Sequence, residues 1–342
     1  MSTAHATAPA RRDAVSWVGF GVAVAGLLVC AWACLTAWSA IVHGHPAYAI
    51  LLAVTALVSA GAAWWTLRRR IRRGGWRRAG RIALIVLAAV WLGLTAWLRP
   101  YSAVEPALAA MHSGSGVSVA ETPTEIVLTP QAVTDPVGVL FQPGALVDAR
   151  AYAAVLRPLA EDGHTVVIVK QPLGIAFLAL GALDRARADH PDVQRWVVGG
   201  HSLGGTVAAM EATGTEATGT EATGTEATGT EATGTESTGT APVGGLLLYA
   251  SYPASDLSSS LRVSVESVSG TRDGLATPEK IAASRADLPP DAQFTVITGA
   301  SHAQFGDYGP QPGDNAPTIS HDDARRQISA ASLDFLDRIA DR

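Results

Sequence analysis

A chain of 342 residues accommodates one large domain or two ordinary ones, and its mean hydropathy of +0.22 is unusual for a soluble protein. Eleven arginines and one acid in residues 1–100 give that part +10 and leave −15 for the remainder, beneath an overall charge of −5; the basic part points to an anionic membrane face and the acidic part argues against nucleic-acid binding. Cys30 and Cys34, the only cysteines, both lie in an apolar run, so no disulfide framework is available elsewhere and cysteine usage does not report a compartment.

Three apolar stretches come first, at about 14–42, 47–67 and 82–98, with no charged residue in their interiors. The first two exceed the roughly 20 residues that a helix needs to cross the hydrocarbon core, and the third is near the lower limit of about 17. Trp17, Trp38, Trp64, Trp65 and Trp97 fall near segment ends, where an amphipathic ring suits the headgroup layer. The first run is too long for a signal peptide and reads as an anchor. Cys30 and Cys34, one turn apart, read as small apolar residues of a helix. Residues 68–81 hold eight arginines, whereas 43–46 hold no Lys or Arg. The positive-inside rule then puts the arginine loop and the N-terminus in the cytoplasm and everything after Arg99 outside. Residues 1–99 are thus expected to be a multi-pass region of the cytoplasmic membrane, with the bilayer as partner.

After residues 100–115, read as a linker or short helix, a domain is expected over 116–342. Strand-like runs fall at 116–120, 125–128, 137–141, 165–169, 195–198, 245–251, 263–268 and 293–298. Helical patterns fall at 149–161, between 170 and 195, from Leu203, and from about 322 to 339, the last with Ser320 as cap. Apolar strands alternating with helices predict an α/β fold with a mostly parallel sheet buried on both faces. Residues 211–240 break the pattern: five Glu-Ala-Thr-Gly-Thr units and a sixth with Ser237. Gly every fifth residue opposes a long helix, and no position is large and apolar. The composition is that of a disordered acidic insertion, which is expected to end the preceding helix after Met210.

The chemistry-bearing motif is Gly200-His201-Ser202-Leu203-Gly204, a G-x-S-x-G between an apolar strand and a helix start. A sharp strand-to-helix turn projects the Ser202 hydroxyl above the sheet edge, and only glycine fits two residues to either side. The Leu203 N–H at the helix start is a candidate oxyanion donor. The partners are expected in the order serine, acid, histidine, each after a strand. Asp273 follows the 263–268 strand and His302 follows the 293–298 strand, so His302 can take the Ser202 proton while Asp273 orients the imidazole. Asp256 is an alternative acid. His201 is expected to point away from the catalytic pocket, and His164, His190 and His321 read as solvated. The second oxyanion donor belongs to the loop after 137–141, where Pro143 has no N–H; Gly144 and Ala145 are the candidates, Ala145 slightly ahead.

Segments ALVDARAY (145–152), GGHSLGG (199–205), YASYPA (249–254), GTRDG (270–274) and SHAQFGDYGPQPGD (301–314) resemble a bacterial α/β-hydrolase family of the dienelactone-hydrolase-like type. The resemblance covers most of 116–340 and implies the α/β-hydrolase fold and the triad Ser202, Asp273 and His302. Dienelactone hydrolases proper use a cysteine nucleophile, so their substrate does not carry over. The insertion at 211–240 departs from the family pattern, though long surface loops add little closure entropy.

The expectation is therefore a membrane-anchored serine hydrolase that cleaves an ester or related acyl bond of a small-molecule or lipid-like substrate. It needs no metal, no organic cofactor and no obligate protein partner. A cell-envelope acyltransferase with the same triad and a non-catalytic module on the same fold are the alternatives. The short gap between the 245–251 and 263–268 strands leaves no room for an obvious lid domain.

Overall fold

The computed structural model describes residues 13–68, 75–114, 116–132, 136–214 and 241–341. The chain divides into two compact units, Met1–Val42 with Pro46–Arg99, and His43–His45 with Pro100–Arg342.

The first unit contains helices α1 (Ala14–His43), α2 (Pro46–Arg68) and α3 (Gly75–Trp97). Each is long and apolar enough to cross a membrane, the third over Arg78–Trp97. Their large apolar side chains point outward: Leu35, Leu57 and Leu84 are all exposed. Such a surface suits an apolar surrounding. Several polar side chains are paired within the unit. Trp91 Nε1 donates to Thr55 Oγ1 at 2.9 Å, the Tyr48 hydroxyl donates to the Thr95 carbonyl at 3.0 Å, and Arg81 bonds Asp13 at 2.9 Å. Cys30 and Cys34 are free thiols within α1.

The second unit is an eight-stranded sheet: β1 (Val117–Glu121), β2 (Glu125–Pro130), β3 (Val137–Gln142), β4 (Val166–Val169), β5 (Arg195–His201), β6 (Val243–Tyr249), β7 (Ser264–Gly270) and β8 (Gln293–Ile297). The spatial order is β1-β2-β4-β3-β5-β6-β7-β8. β1 and β2 are antiparallel to their neighbours, and the pairs from β4 to β8 are parallel. The α-helices of this unit are α4 (Ala107–Ala110), α5 (Ala153–Glu161), α6 (Ala182–Asp189), α7 (Leu203–Ala212), α8 (Pro278–Ala283) and α9 (His321–Ala340).

Period-two alternation sends successive side chains to opposite faces. In β3, Val139 and Phe141 join one core with Val155, Leu156 and Leu159 of α5 and Phe335 and Leu336 of α9. Leu140 joins a second core with Ala182 and Leu183 of α6 and Ala208 and Ala209 of α7. This is the mostly parallel, doubly covered sheet that the sequence predicts.

Three expectations need correction. Residues 101–111, expected as a linker or short helix, do contain the short helix α4 and pack as part of the second unit, not as a linker. The Tyr101 N–H donates to the Leu146 carbonyl (2.7 Å), Val104 N–H donates to Asp307 O (2.8 Å), and Ala107 is fully buried. Helix α7 does not end after Met210; it runs to Ala212 and buries Glu211, whose carboxylate accepts from Gln142 Nε2 at 3.3 Å. His164 is not solvated: it is buried, with Nδ1 3.0 Å from the Val137 carbonyl. Residues 215–240, the bulk of the repeat, lie outside the described residues.

Because β5, β7 and β8 run in parallel, the loops that follow them emerge at one edge of the sheet. Those loops carry Ser202, Asp273 and His302.

Candidate active site

Ser202 lies between the last residue of β5 and the first of α7, with φ 53° and ψ −123°. A non-glycine residue in that region costs on the order of 1–3 kcal/mol and persists only where its surroundings fix it. Here they do. Ser202 N–H donates to the Tyr249 carbonyl (3.0 Å), and the Ser202 carbonyl accepts from Ser251 Oγ (2.6 Å) and Gly205 N–H (3.0 Å). The turn is so tight that a Cβ on Gly200 would overlap the Gly204 carbonyl group, and one on Gly204 would overlap the Gln142 carbonyl oxygen. The two glycines of the motif are therefore a steric requirement.

His302 opens a short 3-10 turn, His302–Phe305, capped by Ser301. Its Nδ1 donates to Asp273 Oδ2 at 2.8 Å, and both side chains are essentially shut off from solvent. Asp273 Oδ1 accepts from the N–H groups of Leu275 and Ala276, each at 2.8 Å. These bonds fix the carboxylate, which in turn fixes the imidazole and places the proton on Nδ1. His302 Nε2 has no hydrogen-bond partner among the described residues, which leaves it as the nitrogen able to accept a proton. The alternative acid, Asp256, is exposed and caps the Ser258 N–H at 2.9 Å, and it has no imidazole partner among the described residues.

The oxyanion candidates separate. Leu203 is the first residue of α7, where an N–H has no preceding helical carbonyl to bond. Gly144 N–H already donates to the Tyr152 hydroxyl at 2.9 Å, so Gly144 is not a free donor in this structure. Ala145, half-buried, keeps its N–H without a hydrogen bond among the described residues.

His201 is fully buried, but it does not lie remote from His302. Its ring centroid is 4.5 Å from that of His302, and it stacks on Phe305 with an interplanar angle of 8°. The Tyr152 hydroxyl accepts from Gly144 N–H and is hydrogen-bonded to His201 Nδ1 at 2.8 Å. Burial, with His302 beside it, pushes the His201 pKa well below the ordinary histidine value, and burial pushes the Tyr152 pKa up. Both are therefore neutral packing groups beside the His302 imidazole. Sequence reasoning missed the Tyr152–His201 pair, although Tyr152 closes the ALVDARAY segment and His201 lies inside the serine motif. His321, expected to be solvated, is half-buried and pairs with Asp307 at 3.1 Å.

Among the described residues, no group of three His, Cys, Asp or Glu side chains is arranged to hold a metal ion. The arrangement of a strained serine, an acid-oriented imidazole and free backbone N–H groups suits nucleophilic acyl transfer.

Residues 138–221 and 223–326 match the model of the Alpha/beta hydrolase family, more than half of the chain. Among solved structures, an esterase from Thermogutta terrifontis with propionate bound is similar at 15% identity. It covers 66% of this chain and 95% of its own length, with a TM-score of 0.42. A lidless α/β serine hydrolase from Xanthomonas campestris is similar at 14% identity, covering 65% of this chain and 96% of its own, with a TM-score of 0.42. No curated protein sequence matches the chain.

Proposed function

The chain belongs to the alpha/beta hydrolase family, and from that premise we propose that it is a membrane-anchored serine hydrolase that cleaves an ester or related acyl bond. The observation that carries the reading is the buried His302–Asp273 pair, with His302 Nε2 left unpartnered at the sheet edge where Ser202 holds its positive φ.

In the proposed reaction, Ser202 Oγ attacks the acyl carbon while His302 Nε2 takes its proton. Asp273 stabilises the imidazolium that results. The N–H groups of Leu203 and Ala145 receive the oxyanion, which is the larger part of the rate enhancement in such sites. His302 then protonates the leaving alcohol, and an acyl-enzyme remains on Ser202. A water molecule, deprotonated by His302, attacks that acyl group and restores the serine.

Residues 1–99 serve as the anchor in this reading. The contrast between the eight arginines at 68–81 and the uncharged 43–46 turn supports a cytoplasmic N-terminus and a catalytic unit outside. The substrate is a small-molecule or lipid-like acyl compound.

The test is turnover of p-nitrophenyl esters by the full-length protein in detergent, with products analysed in the presence and absence of added alcohols. The reading predicts free acid as the product, and a loss of roughly 10³-fold or more in kcat for Ser202→Ala. Transfer of the acyl group to the added alcohol in preference to water would make the protein an acyltransferase. Folded wild-type protein without turnover of any ester would leave the fold as a non-catalytic module.

A further inference from the structure

Asp273 and His302 sit on loops from different strands, so their 2.8 Å bond depends on what ties those loops together. At the loop bases, Arg272 N–H donates to the Ala300 carbonyl (2.8 Å) and Gly299 N–H donates to Thr271 Oγ1 (2.8 Å). At Asp273 and His302 themselves, the tie is a second carboxylate. Asp314 Oδ1 accepts from the N–H of Gly274, the residue after Asp273, at 3.0 Å, and from the N–H of His302 at 3.2 Å. Asp314 Oδ2 accepts from Ala303 N–H at 2.9 Å. One side chain thus bonds both loops within one residue of each catalytic group.

We propose that Asp314 is a positioning residue for catalysis, holding the Asp273 loop against the His302 loop so that the acid–imidazole bond keeps its geometry. The proposal rests on the serine-hydrolase reading above.

The surroundings suit that role. Gly274 lies so close to the Asp314 segment that a Cβ there would come within 2.6 Å of the Gly313 carbonyl oxygen and 2.9 Å of Asn315 N. The segment is itself anchored on both sides. Asp307 bonds Arg325 at 2.6 Å, and Thr318 N–H donates to the Gly299 carbonyl at 2.9 Å. Partial burial raises the Asp314 pKa, but the N–H groups of Ala303, Gly274 and His302 outweigh that effect, so the carboxyl lies below the ordinary aspartate range and is ionised at neutral pH. An ionised acceptor makes the stronger bonds to these N–H groups.

Asp314→Ala and Asp314→Asn in the full-length protein test the assignment, measured where circular dichroism shows both folded. Asp314→Ala should lower kcat on the order of 10²-fold, the scale of a misplaced catalytic group, with KM changed by less than about threefold. Asp314→Asn keeps one acceptor oxygen and should lose only about tenfold. The downfield proton resonance of the His302–Asp273 bond, identified by its loss in His302→Gln, should vanish or broaden in Asp314→Ala and persist in Asp314→Asn. Wild-type kcat in either folded variant, or an activity loss that follows only the folded fraction with the resonance unchanged, would overturn the proposal. Should Asp314→Ala fail to fold, Asp314→Asn decides: wild-type kcat contradicts the assignment and the tenfold loss supports it. Wild-type protein that turns over no ester defeats the hydrolase reading alone, because the resonance still reports whether Asp314 holds the pair.

Discussion

At the residue scale, the site depends on a few groups with no freedom to change. The positive φ of Ser202 and the two steric glycines form one device: the strand must stop, reverse and open a helix within a single residue. This much was readable from the sequence, because G-x-S-x-G encodes a shape as well as a chemistry. Asp273 and His302 were readable from chain order, since each follows an apolar strand. The groups around them were not readable. Asp314 is 41 residues beyond Asp273 and meets it only through the fold. Tyr152 and His201 pair across 49 residues with nothing in the local pattern to signal it.

The buried His201 also sets an acid sensitivity. Its pKa in the folded state lies well below the ordinary 6.5, through burial and the neighbouring His302; Tyr152, Phe305 and Tyr308 complete its surroundings. Below about pH 6.5 the unfolded chain binds a proton that the folded one refuses, so stability falls as pH falls. One such proton corresponds to about 1.4 kcal/mol per pH unit. Urea melts at pH 7, 6 and 5 should show that slope in the wild type, and His201→Gln should flatten it by about one proton. An unchanged slope in the variant would assign the sensitivity elsewhere.

At the scale of elements, all eight strands fall within two or three residues of where apolar runs and turn residues put them, and helix α9 starts at the predicted Ser320 cap, whose Oγ accepts from Asp323 N–H at 3.0 Å. Helix α8 was missed because six residues opening on Pro278 carry too little periodicity to register. Residues 101–111 read as a linker or short helix; the helix is there, but their packing was not legible because it comes from single contacts, such as the Tyr101 bridge to Val147, and not from a repeating apolar face. Glu211 shows how a repeat can mislead. By composition it opens the first unit of a tandem array, yet by position it is the penultimate residue of the helix that Ser202 caps, buried against Gln142. Gln142 in turn accepts from Gln171 Nε2 at 3.1 Å, and Gln171 Nε2 also donates to the Pro143 carbonyl at 2.9 Å, in the loop that leads to Ala145. Glu211→Ala should therefore destabilise the catalytic unit by about 1–3 kcal/mol, the cost of an unsatisfied buried amide, measurable as a lower urea midpoint. A midpoint equal to that of the wild type would mean that Glu211 contributes nothing beyond its repeat.

At the scale of the whole molecule, the chain joins two units of opposite character. One carries basic ends and exposes apolar side chains. The other is acidic and buries its apolar side chains on both faces of a sheet. Composition alone drew that division, because a membrane segment and a water-facing core obey opposite rules about where apolar groups belong. The proposed account adds that the acidic unit works as a serine hydrolase on the outer side of the membrane. The most direct measurement exposes intact cells to a membrane-impermeant fluorophosphonate and locates the adduct by mass spectrometry. The account predicts a covalent adduct on Ser202 that forms without lysis and is absent from Ser202→Ala. Folded protein that takes no adduct even after lysis, or an adduct that survives Ser202→Ala, would contradict the catalytic claim, and labelling that requires lysis would reverse the orientation.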